Sequence, residues 1–415
     1  MKALVAGAAV SLISAASFGS PAAFVAPQTA ANVEGTWTAT MRDAWKNRDG
    51  ERWISLQLQQ SPRGQTGFSV PLAELQGLPA ADERLSLQSA RFSLRRDAGA
   101  IDFSGSFTEG LGAGTFVFAP NTEYVSAMRA KFPSLRDQDV FRMAVHDVSR
   151  EFVAAIEREG YREADLADLV RMRVHNVDVD YIRGMRKAGY EKVSIEDLVR
   201  TRIHGATPQY VQAMSSAGYR GLSLQDLVRT RIHGATPEFV QEVKAAGFEK
   251  LDVDTLVRMR IHGVTPEFVK EMRDIGYRDL TVDDLVRVRI HGATPAFIRQ
   301  LRELGFKDIP LRDVVQMRIH GVSAEFIKEL RSLGYTDLTA ADLVKLRIHG
   351  VSPQFIREMK ELGYASLSRA RLVQFRIHGV DADFIREVRA AGYKNLSAEE
   401  LVDFSIHGRR WLKRR

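Results

Sequence analysis

The chain has 415 residues, of which 45% are hydrophobic and 27% are charged; this composition is typical of a folded protein of two or three domains and excludes a disordered, collagen-like or membrane-spanning chain. It contains no Cys, which excludes disulfides, thiolate nucleophiles and cysteine-based zinc or iron–sulfur sites. The formal net charge is +7, and only its distribution along the chain shows whether it indicates a nucleic-acid ligand.

Residues 1–31 have the order of features of a secretory signal peptide. Lys2 is followed by an apolar, alanine-rich run and then by small residues and Pro, which is the charged, hydrophobic and cleavable order of such a segment. Cleavage after Ala22 or after Ala31 satisfies the small-residue rule. The run is shorter than the ~20 residues of a transmembrane helix, and no later run approaches that length. We therefore expect an exported protein, periplasmic or extracellular, without a transmembrane segment.

Residues 33–120 are predicted to form one small antiparallel β domain, a sandwich or a barrel. Ile54, Leu56 and Leu58 alternate with polar residues at the period of a half-buried strand, and the same alternation recurs further along. The glycine-rich stretch 110–114 is expected to be a hairpin turn, because a dinucleotide-binding loop would precede a helix and here a strand follows. The domain has no His, so a His-dependent triad cannot be built within it.

The remainder of the chain is a repeat of 29 residues. The ten His of the chain recur at this interval: His146, His175, His204, His233, His262, His291, His320, His349, His378 and His407. A Gly followed by Tyr or Phe recurs with the same step, from Gly160 to Gly392. Self-similarity at such a period is typical of solenoids.

One repeat shows how each unit becomes a pair of short helices. Thr265 is an N-cap followed by Pro266, a preferred first helical residue, and Gly276 ends this first helix in the left-handed conformation. Thr281 begins a second helix, with Asp284 at the capping-box position. Helices this short are marginal alone, so neighbouring pairs must stack. Residues 122–408 are therefore predicted to form an α-solenoid of about nine two-helix repeats, which makes the chain an α+β multidomain protein.

An Arg that recurs in the second helix is a candidate functional position. On a helical wheel it falls beside Leu285, Val286 and Ile290, which are expected to form the buried side, whereas Arg287 points away. A charge on a packed face must be paired, so we expect this Arg to bridge adjacent repeats through a carboxylate or helix-end carbonyls, or else to form a ladder that binds a ligand. The series includes Arg173, Arg202, Arg231, Arg260, Arg289, Arg318, Arg347 and Arg376, with Glu238, Glu267 and Glu325 as possible partners.

The His of each repeat precedes the Gly that ends the second helix. There an imidazole can bond the last free carbonyls, and a protonated ring is favoured by the helix dipole. The alternative is a pH response, since all ten rings could charge as the pH falls toward ~6. Successive His lie too far apart to share one zinc ion, so no metal or other cofactor is expected. The candidates in the central repeats are His204, His233, His262, His291, His320 and His349.

The basic charge lies mostly in the tail 409–415, which holds five Lys and Arg. Between 122 and 408 the basic and acidic residues nearly cancel. The tail can dock on an anionic envelope component, or it can be a frayed end. Because the protein is expected to be exported, no nucleic-acid partner is expected.

Several motifs together carry a resemblance to a known family. They are Gly35-Thr36-Trp37, the run Phe92 to Ala98, the run Gly112 to Phe116, Pro120-Asn121, and the Thr-Pro-Glu-Phe and Leu-Gly-Tyr repeats. This region, about 33–408, resembles the extracytoplasmic part of some bacterial membrane metallopeptidase sensors of the beta-lactam-sensor, antirepressor type. The His-Glu-x-x-His motif and the membrane helices of that family are absent from this sequence. The resemblance implies at most a sensing or partner-binding role.

Three functions follow as expectations. The first is a non-enzymatic, exported scaffold that binds a protein or peptide along the helical repeats. The second is an envelope sensor or ligand-binding module in which the β domain takes a small molecule or a glycan. The third is a hydrolase that uses carboxylates of the β domain, namely Glu74, Asp82, Asp97 and Asp102, although nothing in their spacing singles out a pair.

Overall fold

The computed structural model describes residues 32–41, 52–60, 64–79 and 84–408. The expected signal peptide, the basic tail and Asp82 lie outside these residues. The chain divides into two compact units, one up to Ile182 and the other from Arg183 onward. The first unit holds an antiparallel sheet and the earliest helices, and the second unit is helical. The fold class is therefore α+β.

A single antiparallel sheet of seven strands forms the start of the first unit, in the order β3-β2-β1-β7-β6-β5-β4. The strands are β1 Val33–Thr40, β2 Trp53–Gln60, β3 Gln65–Pro71, β4 Leu75–Gln76, β5 Leu87–Arg96, β6 Gly99–Thr108 and β7 Leu111–Pro120. A 3-10 turn, Leu72–Glu74, separates β3 from β4. The sheet is curled into a half-barrel, and the described residues form one sheet, not the two layers of a sandwich.

The inner face of the sheet is built around Trp37. The rings of Phe92, Phe103 and Phe107 lie 5.2, 6.0 and 5.5 Å from its ring, measured between centroids, and such aromatic contacts contribute beyond their buried area. The expected turn over 110–114 is shorter than predicted, because β7 already begins at Leu111. Gly112 is a strand residue, where a Cβ would lie 2.7 Å from the Trp37 ring. The glycine thus makes room for the tryptophan.

Twenty α-helices follow the sheet in the described residues. They are α1 Thr122–Lys131, α2 Asp137–Val145, α3 Arg150–Arg158, α4 Leu166–Val174, α5 Val179–Lys187, α6 Ile195–Ile203, α7 Pro208–Ser216, α8 Leu224–Ile232, α9 Pro237–Ala245, α10 Val253–Ile261, α11 Pro266–Asp274, α12 Val282–His291, α13 Pro295–Glu303, α14 Leu311–Ile319, α15 Ala324–Ser332, α16 Ala340–Ile348, α17 Pro353–Glu361, α18 Arg369–Ile377, α19 Ala382–Ala390 and α20 Ala398–Asp403. A π-helical turn, Phe404–Gly408, comes last.

Polar caps place the helix boundaries of the second unit. The Thr265 hydroxyl accepts a hydrogen bond from the Phe268 amide at 3.3 Å, and Thr281 and Asp284 form a reciprocal capping box. Gly276 and Gly292 have φ angles of 96° and 66°, a region that favours glycine. The predicted start and end signals therefore act as expected in this repeat.

Equivalent helices of neighbouring pairs pack on one another: the second helices do so from α6 to α20, as α12 does on α14, and the first helices from α13 to α19, as α13 does on α15. The buried side chains form a continuous apolar core from Ala206 to Val402. Because each helix is only about 9 residues long, this shared core stabilises the unit more than helix propensity does.

Candidate functional site

The recurring Arg, Ile and His are consecutive residues at the end of the second helix of each pair. In α12 they are Arg289, Ile290 and His291. The helix presents Leu285, Val286 and Val288 to the core, and these side chains are at most 5% exposed. The three recurring residues are thus the last three residues of the helix and follow its buried side chains.

The Arg side chain spans three helices. The Arg289 guanidinium lies 4.7 Å from the centroid of the Phe268 ring in α11, and its Nε donates to the His262 carbonyl at the end of α10 at 3.3 Å. Guanidinium groups are attracted to ring faces, and a cation near a helix C-terminus is stabilised by the helix dipole. Arg289 therefore bridges adjacent repeats through an aromatic ring and a helix-end carbonyl.

The same arrangement recurs along the second unit. The ring contacts are Arg231 on Tyr210, Arg260 on Phe239, Arg318 on Phe297, Arg347 on Phe326 and Arg376 on Phe355, each at 4.8 to 5.1 Å. Arg260 and Arg347 also donate to the carbonyls of His233 and His320 at 3.4 Å. Arg202 occupies the equivalent position in α6.

The carboxylates considered as partners are bonded mainly to their own helix ends, although the charge of Arg231 also contributes to lowering the pKa of Glu238. Thr236 and the backbone amide of Glu238 donate to the Glu238 carboxylate and lower its pKa. Glu267 and Glu325 are bonded by their own amides and by their N-cap hydroxyls, which again lowers the pKa of each. No described carboxylate forms an ion pair within 4.0 Å of the ladder arginines 231, 260, 289, 318 and 347.

The wheel prediction for Ile290 is wrong. Ile290 is 55% exposed, whereas Val288 is fully buried, so the side of α12 that packs into the core is the one formed by Leu285, Val286 and Val288. Arg289 is exposed as well, so it lies over the core and not within it. The equivalent isoleucines are all 45 to 56% exposed: Ile203, Ile232, Ile261, Ile290, Ile319, Ile348, Ile377 and Ile406. We call this series the isoleucine row.

The His residues take part in the arginine contacts through their backbone carbonyls. His204, His233, His262, His320 and His349 are the C-cap residues of their helices, and His291 is the last residue of α12. Their rings are partly or largely exposed. In the described residues none of these six imidazoles bonds a helix-end carbonyl; the arginine of the next repeat takes that position where a bond is formed.

A second basic series was missed by the sequence analysis. Near the end of α9, α13, α15, α17 and α19, a Lys or Arg donates to the carbonyl that ends the first helix of the preceding pair. The bonds are Lys244 to Ala217 at 2.6 Å, Arg302 to Ile275, Arg331 to Leu304 at 2.5 Å, Lys360 to Leu333 at 2.7 Å and Arg389 to Leu362 at 2.5 Å. The signal was available, because these residues recur every 29 positions.

The carboxylates of the sheet have arginine partners. Glu74 pairs with Arg96 at 2.6 Å, and Asp102 pairs with Arg95 at 3.1 Å. Arg150 donates side-chain hydrogen bonds to Asp97 and so lowers its pKa. These three carboxylates therefore belong to separate ion pairs, and the structure brings no two of them together as an acid and a base.

Within the described residues, no helix is long and apolar enough to cross a membrane. The same residues contain no group of three or more His, Asp or Glu side chains arranged to hold a metal ion. Comparison with models of known protein families finds no match for this chain, and comparison with curated proteins finds none either.

Proposed function

We propose that this chain is an exported, non-enzymatic scaffold whose helical region is an α-solenoid of about nine 29-residue repeats, and that it binds an extended polypeptide along the isoleucine row. The observation that carries the proposal is the exposure of one large apolar side chain at the same position of successive repeats. Isolated exposed apolar residues are ordinary, whereas a contiguous series marks an interaction surface.

The row has a positive charge beside it. Arg231, Arg260 and Arg289 directly precede isoleucines of the row and are exposed, and their close contacts are with rings and carbonyls. By contrast, Arg258, two residues before Arg260, is paired with Asp283 at 2.5 Å. A partner with acidic side chains would complement these charges, none of which has a described carboxylate within 4.0 Å. The expected ligand therefore combines apolar and acidic residues.

The distance between successive repeats determines how far apart the apolar residues of the partner must lie. Packed helices lie about 8 to 10 Å apart, and an extended chain in the polyproline II conformation advances about 3.1 Å per residue with three residues per turn, so that every third side chain lies on the same face. A polypeptide lying along the row would therefore present an apolar residue at about every third position. Ile348 lies beside a shallow groove between α14 and α16, which also includes Val344 and Gln316, so side chains of such a partner have room between successive helices.

Selection from a displayed library of random peptides tests the proposal. We expect enrichment of peptides with apolar residues at every third position and acidic residues between them. Replacing Ile232, Ile261 and Ile290 by Ser should reduce the affinity of the protein for the selected peptides by at least about tenfold, since each isoleucine that becomes buried contributes about 1.5 to 3 kcal/mol. The thermal midpoint of the protein should change little, because these side chains are exposed in the free protein.

The matched control replaces Glu249, Arg278 and Lys307 by Ser. These residues occupy one repeat position in the turn after the first helix and are exposed. Peptide affinity should not change in this variant. Equal loss of binding in the control, or selection of peptides without acidic residues, would contradict the proposed surface.

A further inference from the structure

A cavity of about 380 Å³ lies in the first unit between strands β2 and β3 and the ends of α2 and α4. Trp53 and Pro71, which lie opposite each other in the pairing of β2 with β3, contribute apolar side chains to its wall, and Glu74, Arg96 and Asp147 contribute charges. It thus combines an apolar wall with a polar one, which is the usual character of a small-molecule site. None of the interactions proposed for the isoleucine row involves this cavity.

The charges in the cavity balance one another. Arg96, whose side chain is 12% exposed, lies between Glu74 at 2.6 Å and Asp147 at 3.1 Å. Arg173 pairs with the other oxygen of Asp147 and donates to the His146 carbonyl at 3.3 Å. Two guanidinium groups thus face two carboxylates. A strongly charged ligand would have to break one of these pairs, whereas a neutral polar ligand would not.

Polar atoms remain available there. The Arg96 Nε is buried and has no hydrogen-bond partner in the described residues, and the ion pair of Glu74 uses only one of its two carboxylate oxygens. His146 also lines the cavity, and its pKa is lowered to about 4 by burial and by the nearby charges of Arg142 and Arg96. At neutral pH its ring is uncharged and can accept or donate a hydrogen bond.

The backbone at the cavity departs from the repeat. Asp147 and Asn176 stand where later repeats have Gly205 and its equivalents, and they keep the left-handed φ, 55° and 53°. Residues with a Cβ are strained in this region, and such strain clusters at functional sites. Both side chains line the cavity. Asp147 and Asn176 therefore place polar side chains in the wall of the cavity, at positions where later repeats have an unstrained glycine.

We propose that this cavity binds a neutral saccharide, with Trp53 against the apolar face of a sugar ring and Glu74, Asp147 and Asn176 bonded to its hydroxyl groups. Sugars present an apolar face and several hydroxyl groups, and both kinds of surface have a counterpart in the wall. The balanced charges favour a neutral sugar over an acidic one.

Binding is measured on the full chain with maltotriose, cellotriose and triacetylchitotriose, each up to about 10 mM, so that dissociation constants of about 1 mM can be determined. The readouts are tryptophan fluorescence and saturation-transfer NMR of the sugar. At least one trisaccharide should bind, and glucuronic acid should bind more weakly. Asp147→Gly and Glu74→Gln should each weaken binding by about tenfold, the effect of one hydrogen bond to a charged group.

Asp147→Gly relieves the left-handed strain but removes the ion-pair partner of Arg96 and Arg173, so its folding is established before its affinity is compared. Glu74→Gln keeps the size of the side chain, and both variants are checked by their thermal midpoints. The matched control is Asp102→Asn, which removes a carboxylate from an exposed ion pair with Arg95 elsewhere on the sheet, and it should bind like the parent. Absence of binding by all three trisaccharides overturns the proposal, as does binding that neither cavity variant weakens.

Discussion

The recurring Arg contacts a neighbouring repeat although its side chain is exposed. Arg289 lies on the Phe268 ring and bonds the His262 carbonyl, and it also limits the residue next to that carbonyl. A Cβ on Gly263, whose φ is 65°, would lie 2.7 Å from the Arg289 Nη2. Glycine at 263 is therefore favoured by its backbone conformation and by the nearby guanidinium, although Asp147 and Asn176 take the equivalent position in the first repeats.

Replacing Arg289 by Met tests this bridge. The variant loses a ring contact worth about 0.5 to 1 kcal/mol at an exposed site and a hydrogen bond of similar value. We expect the free energy of unfolding to fall by about 1 kcal/mol, measured by urea denaturation. Arg287→Met, two residues earlier on the same helix, is the control and should change stability little. A parent-like Arg289→Met variant would show that the bridge does not stabilise the unit.

His146 should make stability depend on pH. The pKa of its ring is about 4 in the folded protein and about 6.5 in an unfolded chain. Between these values the unfolded state binds a proton that the folded state does not, so stability falls as the pH falls from 6.5 toward 4. With a pKa of about 4, the His146 ring is not charged near pH 6. The pH response expected for all ten His therefore does not include His146.

The expected loss between pH 7 and pH 4.5 is about 2 kcal/mol, because one pKa unit corresponds to about 1.36 kcal/mol and solvent screens this partly exposed ring. His146→Gln should lack this part of the pH dependence, and comparing parent and variant by urea denaturation cancels the shared titration of the carboxylates. Equal pH dependence in the two proteins would show that the ring is accessible to protons in the folded state.

Between helices, a tyrosine hydroxyl joins one pair to the next. The Tyr277 hydroxyl donates to the Ile309 carbonyl at 2.7 Å, and burial raises the pKa of this phenol. The same bond, to a carbonyl 32 residues on, is made at 2.6 to 2.8 Å by Tyr190, Tyr219, Tyr335 and Tyr364. Two repeats have Phe248 and Phe306 at this position, and a Phe cannot make the bond.

These natural differences allow a test in both directions. Tyr277→Phe should lower the free energy of unfolding by about 1 kcal/mol, the net value of a hydrogen bond whose acceptor is left partly desolvated. Phe306→Tyr should raise it by up to about 1 kcal/mol, since the new hydroxyl has the equivalent Leu338 carbonyl as its acceptor. Thermal unfolding of both variants checks this. Destabilisation by Phe306→Tyr would mean that the hydroxyl does not reach its acceptor.

For the molecule as a whole, the interactions of the second unit connect each pair of helices with its neighbours. The basic side chains of both series reach a carbonyl 27 residues back, and equivalent helices pack on one another. The free energy of unfolding of the unit is then approximately the sum of the stabilities of single repeats and of the contacts between neighbouring repeats. A complete repeat should be removable, because the flanking repeats present matching surfaces to each other.

Deletion of residues 266–294 joins Thr265 to Pro295, so an N-cap again precedes a first-position proline. We expect this variant to unfold cooperatively, with unchanged helix content per residue by circular dichroism. Deletion of 266–280 removes α11 without its partner α12 and should abolish cooperative unfolding, since it leaves an unmatched apolar face. If both deletions behave alike, the 29-residue unit is not the structural repeat.

Much of the helical architecture was predictable because its determinants are local. The N-cap at Thr265, the capping box at Thr281 and the glycine stops each lie within a few residues of the boundary that they set, and the period repeats them. The sheet was predictable only as antiparallel strands. Its order depends on the pairing of β1 with β7, which are far apart in sequence, and alternation within a strand does not specify a distant partner.

The sequence by itself determined the 29-residue period, the paired helices and the positions at which Arg, Ile and His recur. Only the tertiary structure decided what those residues contact. A helical wheel describes one helix alone, so it placed Ile290 on the buried side, whereas the positions of the neighbouring helices leave it exposed. The ring and carbonyl that hold each Arg belong to other helices, and the cavity formed by Arg96, Asp147 and Asn176 joins segments that are distant in the chain. Local patterns specify elements, and packing between elements decides which of their side chains remain available for binding.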